Sequence, residues 1–299
     1  MIPVYIPTFN NPTYTKYFID QLINFDTIEL IILDNKSTNP KMLRLLEGMD
    51  KKVKVIHLDS NQGPHYILRN KEFYESLPEI FGLSDPDMEL SEQLPLNFVN
   101  YLIDISEKYK IGKVGFALEV PMFDELREPY LKMDGKIWNM RDWELQWWQN
   151  KIGSTDEGDD LYLTTLDTQF ALYNKKYFDP NERYKCIRVA GRFTAKHLGL
   201  YKNSIVPQEE QEFYKNSTRY SYVAGKLDQE NNPVFEITVH EYTIMKEEID
   251  SLRANNKILA QNNFDMNNEI QNFYSSKTWK YTAFLRNIKN LVRKIFNRL

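Results

Sequence analysis

The sequence predicts an α/β fold: a Rossmann-like, mostly parallel sheet with helices on both faces, then a C-terminal coiled-coil helix and an amphipathic tail. Three observations carry that reading. Short apolar runs alternate with helical patterns through the first part of the chain, the order expected of a parallel sheet. Polar residues gather where each run ends, and such sheets bind ligands at the carboxyl ends of their strands. After Glu241 the pattern becomes a heptad repeat that no Pro or Gly interrupts.

The elements follow in order. Val4-Tyr5-Ile6 reads as a short buried strand, ended by the turn chemistry of Pro7-Thr8-Phe9-Asn10-Asn11-Pro12. Pro12 opens a helix with Tyr17, Phe18, Leu22 and Ile23 on its apolar face. Glu29 to Leu33 is a second strand, running into Asp34-Asn35-Lys36-Ser37, and a helix is expected from Lys41 to Met49. Val53 to Leu58 is the third strand. It breaks at Asn61-Gln62-Gly63-Pro64 before a helix around Tyr66 to Tyr74. The fourth strand ends at Asp85. A helix over Leu96 to Tyr109 and a strand over Lys113 to Val120 come next. From Pro121 to Asp160 the regular pattern fades among Trp138, Trp143, Trp147 and Trp148, which suit either a carbohydrate-facing surface or an irregular segment packed through its rings. Thr168 to Tyr173 is a further strand.

Composition narrows the function classes. A formal charge of −4 over 299 residues carries no global nucleic-acid signature. The charge is uneven, however: the stretch from Ser275 to Leu299 holds seven Lys or Arg and no acid, so a basic end follows an acidic body. Cys186 is the only cysteine, which rules out an intrachain disulfide and fits a reducing compartment. No signal peptide is expected, because Met1 to Ile6 runs straight into a strand. No apolar run is long enough to span a bilayer. The absence of G-x-G-x-x-G and G-x-x-x-x-G-K-[ST] speaks against a dinucleotide oxidoreductase and a P-loop nucleotidase.

The stretch with the most chemistry is Ile80-Phe81-Gly82-Leu83-Ser84-Asp85-Pro86-Asp87. Two carboxylates one residue apart at a strand end can both face one hard divalent cation, which takes oxygen ligands and bridges to phosphates. The competing reading is a helix start, with Asp85 as N-cap and Pro86 in the first helical position.

Taken together, Val4-Tyr5-Ile6-Pro7-Thr8-Phe9-Asn10, Leu33-Asp34-Asn35-Lys36-Ser37, Asn61-Gln62-Gly63 with Arg69-Asn70, and Asp85-Pro86-Asp87 resemble the GT-A glycosyltransferases of family 2 that build bacterial surface polysaccharides. The resemblance covers Ile2 to Tyr201. It implies a GT-A fold, a nucleotide-sugar donor, a divalent metal (Mn2+ or Mg2+) and inversion at the anomeric carbon. It places Pro7, Thr8, Asn10 and Asp34 around the nucleoside and Arg69 near the base or phosphates, while Ser37 and Gly63 are candidates from their places after the second and third strands. Asp85 and Asp87 become the D-x-D pair, and Asp85 also faces the donor. His197 resembles a late histidine that helps hold metal or diphosphate; a structural histidine is the alternative. The late acidic pair that supplies the base in many members is missing between Tyr177 and Tyr201. Asp167, in Asp167-Thr168-Gln169-Phe170-Ala171-Leu172-Tyr173, is the expected base or else a turn cap, with Asp159 and Asp160 in reserve.

The rest of the chain points to placement. Ile249, Asn256, Asn263 and Ile270 share one heptad position and Leu252, Leu259, Met266 and Phe273 the other, which predicts a parallel homodimer. The expected domains are 1–241 for the transferase, 242–274 for the coiled coil and 275–299 for a basic tail on an anionic membrane surface. The expected partners are the donor, a glycan or lipid-linked acceptor, that membrane and a second copy, with no nucleic acid. The expected location is the cytoplasmic face of a bacterial membrane. Two rivals remain: a sugar-phosphate nucleotidyltransferase, which ordinarily carries a Gly-rich first loop, and a non-catalytic coiled-coil scaffold.

Overall fold

The computed structural model describes residues 1–122, 124–126, 131–133, 136–179 and 185–218, and in the C-terminal part 251, 254, 257–259, 261–272, 275 and 282. The chain divides into two compact units, Met1–Glu236 and Ile237–Leu299. The boundary expected at 241/242 lies outside the described residues.

The first unit opens with β1 (Ile2–Thr8), α1 (Pro12–Leu22), β2 (Ile28–Asp34), α2 (Pro40–Glu47), β3 (Val53–His57), α3 (Tyr66–Arg69), α4 (Lys71–Ser76) and β4 (Ile80–Leu83). It continues with β5 (Met88–Glu89), α5 (Phe98–Tyr109), β6 (Lys113–Phe116), the hairpin β7 (Leu131–Met133) and β8 (Lys136–Trp138), and α6 (Met140–Leu145). It closes with β9 (Lys151–Ser154), β10 (Asp160–Thr165), β11 (Ala171–Asn174), β12 (Lys185–Val189), β13 (Lys196–His197) and α7 (Gln208–Ser217).

Nine strands form one sheet in the order β3-β2-β1-β4-β11-β6-β12-β10-β9. β1 is parallel to β2 and β4, β2 to β3, and β6 to β12. β11 is antiparallel to both β4 and β6, and β10 to both β12 and β9. Only β10 and β11 therefore run against the other strands, and the expected mostly parallel sheet is present.

The core lies on both faces of this sheet. Val4, Ile6, Leu30 and Ile32 pack on one side with Phe18 and Leu22 of α1 and Phe98 and Leu102 of α5. Tyr5, Ile31, Leu33 and Phe81 pack on the other with Ile67 of α3 and Phe73 and Tyr74 of α4. Burial on both sides explains why β1 and β2 read as unbroken apolar runs rather than alternating ones. Phe116 stacks on Phe170 with ring centroids 4.6 Å apart, and Phe98 meets both edge-on. Such pairs contribute about 0.5–1.5 kcal/mol beyond area burial.

Local chemistry shifts some boundaries. The helix expected over Tyr66 to Tyr74 is two short helices, because Asn70 turns extended (ψ 109°) and its Oδ1 caps the Phe73 N–H at 2.8 Å. The strand expected from Thr168 begins at Ala171, since Thr168 is engaged elsewhere. The start of α1 has Pro12 in its first turn and no side-chain cap from Asn11. Buried Glu210 of α7 supplies the missing acceptor: its Oε1 takes the Thr13 N–H at 3.0 Å and its Oε2 the Thr13 hydroxyl at 2.7 Å.

In the second unit, residues 257–259 and 261–272 are helical. Leu259, Asn263, Met266 and Ile270 of the predicted seam fall there, and Leu259, Met266 and Ile270 are exposed. Ile249, Leu252, Asn256, Phe273 and nearly all of the basic tail lie outside the described residues. Among the described residues, no helix is long and apolar enough to cross a membrane.

Candidate functional site

The site forms at the carboxyl end of β4. This short strand is wedged between β1 and β11, and Gly82 lets it lie tight: a Cβ there would come within 2.9 Å of Val4 Cγ2. Beyond Leu83 the chain is fixed by the Ser84 N–H on Tyr5 O (3.1 Å) and the Asp85 N–H on Thr168 O (2.9 Å). No helix follows. Met88 and Glu89 form β5 instead, so the N-cap reading of Asp85-Pro86 does not hold.

β5 pairs antiparallel with β13, setting Met88 opposite His197 and Glu89 opposite Lys196. The Leu198 N–H on Asp87 O (2.8 Å) extends the pairing. His197 Nε2 thereby comes to 3.1 Å from both carboxylate oxygens of Asp87. Asp85, Asp87 and His197 each offer a ligand atom, all within 4.8 Å of one another. Thr168 Oγ1 donates a hydrogen bond to Asp85 Oδ2.

The electrostatics fit a cation site. Burial and the neighbouring Asp87 charge push the Asp85 carboxyl up to about 7. Burial pulls the His197 imidazole down, yet the Asp87 charge and hydrogen bond, with Asp85 behind them, push it up to about 9. Two crowded acids thus lean on one imidazolium for positive charge. A divalent cation held here would satisfy the same acids, and the imidazole, once neutral, would offer a third ligand atom. Two carboxylates with one imidazole fit a divalent cation.

Asp167 lies in the segment between β10 and β11, beside Thr168 and so beside Asp85. Its carboxylate is 63 % exposed and sits 3.0 Å from His65 Nε2. That contact is not the expected turn cap. Desolvation raises the Asp167 carboxyl, but the His65 hydrogen bond and charge, with the charges of Lys113 and His197, outweigh it and hold the group below the usual carboxylate range. The two reserve acids are engaged elsewhere. Asp159 is buried against Arg192, at 2.6 Å from Nη2, and Asp160 pairs with Lys151 at 2.7 Å.

The other sequence candidates gather at the ends of β1 and β2. Asp34 is buried, accepting the Ser37 N–H on Oδ1 and facing His57 Nδ1 with Oδ2, both at 3.0 Å. Asn10, in the left-handed region at φ 53°, is fully buried as a staple between two loops. Its Oδ1 accepts the N–H groups of Thr38 (2.7 Å) and Asn39 (2.8 Å), its own N–H reaches Ser37 Oγ (3.0 Å), and its Nδ2 reaches Ser217 Oγ of α7 (2.9 Å). The side chains of Asn10 and Ser37 thus shape this corner from within the protein. Thr8 Oγ1 is buried with no hydrogen-bond partner among the described residues, and Pro7 is buried beside it in β1. Gly63 turns at φ 78° with open space around its Cα, its loop tied to Asn35 Oδ1 by the Gln62 N–H (3.0 Å). Arg69 is exposed at the end of α3.

Sequence reasoning gave no role to His65 or to the Thr168 hydroxyl. Their positions, after the Gly63-Pro64 break and next to Asp167, were the available signal.

A mostly parallel sheet of this kind, with helices on both faces and its ligand end at the strand carboxyl termini, is consistent with the GT-A fold. The chain belongs to glycosyl transferase family 2, which matches residues 4–179. No curated protein matches the sequence. Among solved structures, the chain is similar to S. aureus TarS at 13 % identity and a TM-score of 0.40, over 72 % of this chain and 38 % of that one. A TarS 1–349 structure gives 14 % and 0.41, over 72 % and 63 %. GalNAc-T7 with UDP, GalNAc and Mn2+ gives 11 % and 0.40, over 66 % and 43 %. In each case the chain spans less than two thirds of the matched protein.

Proposed function

We propose that this chain is a metal-dependent, inverting glycosyltransferase that moves a sugar from a nucleotide-sugar donor to a hydroxyl of a growing surface glycan. The observation that carries the reading is the Asp85–Asp87–His197 cluster, within 4.8 Å, in a family 2 chain. Held there, a divalent cation supplies positive charge to the leaving diphosphate. Asp34 and the Thr8 hydroxyl, at the adjoining strand ends, serve the nucleoside, and Arg69 serves the base or phosphates. Asp167 takes the proton of the acceptor hydroxyl as its oxygen bonds to the anomeric carbon and the bond to diphosphate breaks. One displacement inverts the centre and needs no covalent nucleophile. His65 holds the Asp167 carboxylate in place and keeps it ionised.

The C-terminal part supplies placement in this reading. Leu259, Met266 and Ile270, exposed on a helical stretch, support a two-stranded homodimer through the heptads. The basic, amphipathic 275–299 segment then rests on the anionic cytoplasmic face of a bacterial membrane, close to a lipid-linked acceptor.

The test is a panel of nucleotide sugars incubated with the protein and Mn2+ or Mg2+. Release of nucleoside diphosphate from one donor, abolished by chelator and by Asp87→Asn, is the expected result. No turnover of any donor with either metal, by protein that binds the metal, would return the chain to the scaffold reading.

A further inference from the structure

The sheet contains a lysine that its packing does not call for. Lys113 opens β6 in the middle of the sheet, opposite Tyr173 of β11, and is 1 % exposed. Burying an ammonium there is costly unless it is hydrogen-bonded, and an apolar side chain fills such a strand position without that cost. Lys113 Nζ donates to the carbonyls of Leu166 (2.5 Å) and Asp167 (2.9 Å) and lies 5.1 Å from the centre of the Tyr173 ring.

Those two carbonyls belong to the segment that leaves β10 at Thr165 and re-enters the sheet at Ala171. Over that stretch the backbone has left the strand ladder, so its carbonyls need another partner. The same stretch carries both side chains that face the site. Asp167 meets His65, and Thr168 meets Asp85. Gln169 Oε1 holds the Asp167 N–H at 3.0 Å, so Asp167 is gripped at its N–H, its carbonyl and its carboxylate.

We propose that Lys113 is a positioning residue: its ammonium fixes the Leu166–Asp167 backbone so that the Asp167 carboxylate is delivered to His65. This rests on the reading of Asp167 as base only in its kinetic consequence. The positive charge of Lys113 also favours the ionised form of Asp167. A three-donor ammonium suits the task because it can hold two carbonyls from one point.

The contact between His65 and Asp167 can be read without any activity. Of the four histidines, the His65 Cε1–Hε1 resonance is assigned with His65→Gln. Asp167→Asn then defines where that resonance lies once the carboxylate is gone. Lys113→Met is expected to move it in the same direction, and Lys113→Arg, which keeps the charge and donors, to bring it back toward the wild-type position. Should the methionine variant fail to fold, Lys113→Gln, which keeps a donor for one carbonyl, is read in the same way. A His65 resonance that stays at its wild-type position when the ammonium is removed overturns the proposal.

Kinetics form the second arm. Lys113→Met should lower kcat about 10-fold or more with donor KM within about twofold, because a displaced base harms the transition state and not donor binding. Lys113→Met in an Asp167→Asn background should add little. Full additivity of the two losses would also overturn the proposal. If the wild-type chain transfers no sugar, the base reading of Asp167 fails by itself, and the resonance still decides the role of Lys113.

Discussion

Removing the Glu144 carboxylate should strip this sheet of a substantial share of its stability. Glu144 of α6 and Arg188 of β12 form an ion pair with both side chains 3 % exposed. Arg188 Nη1 reaches Glu144 Oε2 at 2.7 Å, and its Nε reaches Thr165 O at 2.8 Å. In Glu144→Ala the guanidinium stays buried and charged, with its carboxylate partner gone. Truncating one partner of such a pair costs about 3–5 kcal/mol, against a total of about 5–15 kcal/mol for a native protein. With a urea dependence of about 3 kcal/mol/M, the midpoint should fall by about 1–1.7 M. Tryptophan fluorescence suits the assay, since Trp147 lies 6.0 Å from the Arg188 guanidinium and Trp143 is packed edge-on against it. The double variant Glu144→Leu with Arg188→Met removes both charges and should recover most of the loss. A single variant within about 1 kcal/mol of wild type, or a double variant no better than the single, would refute the assignment of this pair as a buried charge held by its partner.

Other expectations are more direct. Asp87→Asn should keep the circular dichroism of the wild type while lowering metal-dependent turnover by about 100-fold or more, and calorimetric Mn2+ titration should show weakened binding; unchanged binding would remove Asp87 from the ligand set. Cys186 is fully buried, and burial pushes its thiol up to about 11, so Ellman's reagent should find no reactive thiol at neutral pH in the native protein and one per chain in urea. Fast labelling without denaturant would contradict the sheet placement of β12. Removal of residues 275–299 should leave a dimer by light scattering that no longer sediments with anionic vesicles. A monomer, or retained sedimentation, would refute the corresponding half of that reading.

What the sequence made legible was periodicity and punctuation. The alternation up to Asp85 is visible because β1, β2 and β4 are buried on both faces, and the polar strand ends mark the ligand side. Asp85 and Asp87 could be found that way because they are neighbours in the chain. His197 was harder. It joins them through a two-residue pairing with β5 that has no local pattern. Lys113 and His65 were invisible as partners of residue 167, since a lysine or histidine in a chain of this composition says nothing about which distant carbonyl or carboxylate it meets. Asn10 was read as part of a nucleoside pocket; its side chain also ties loops together, through hydrogen bonds to Thr38, Asn39 and Ser217. Only the three-dimensional corner reveals that it shapes the loops. The Asp85-Pro86 start signal failed for a related reason: pairing with β13 and the Thr168 contact hold the segment extended, and a local preference yields to tertiary partners.

The cap that Glu210 places on α1 has a consequence for biosynthesis. The acceptor for the Thr13 N–H stands 197 residues further along the chain. At ribosomal speeds of about 5–20 residues per second, the first helix waits about 10–40 s for its cap. Asn10 waits still longer for Ser217. During that interval the loops after β1 and β2 lack their last restraints, although β1 and β2 can already pair. Nascent chains arrested before α7 should therefore be cut by protease near Asn10 to Thr13, and that sensitivity should vanish once α7 clears the exit tunnel. The order of synthesis would thus leave the corner around Asn10 and Thr13 as one of the last parts of the first unit to become rigid.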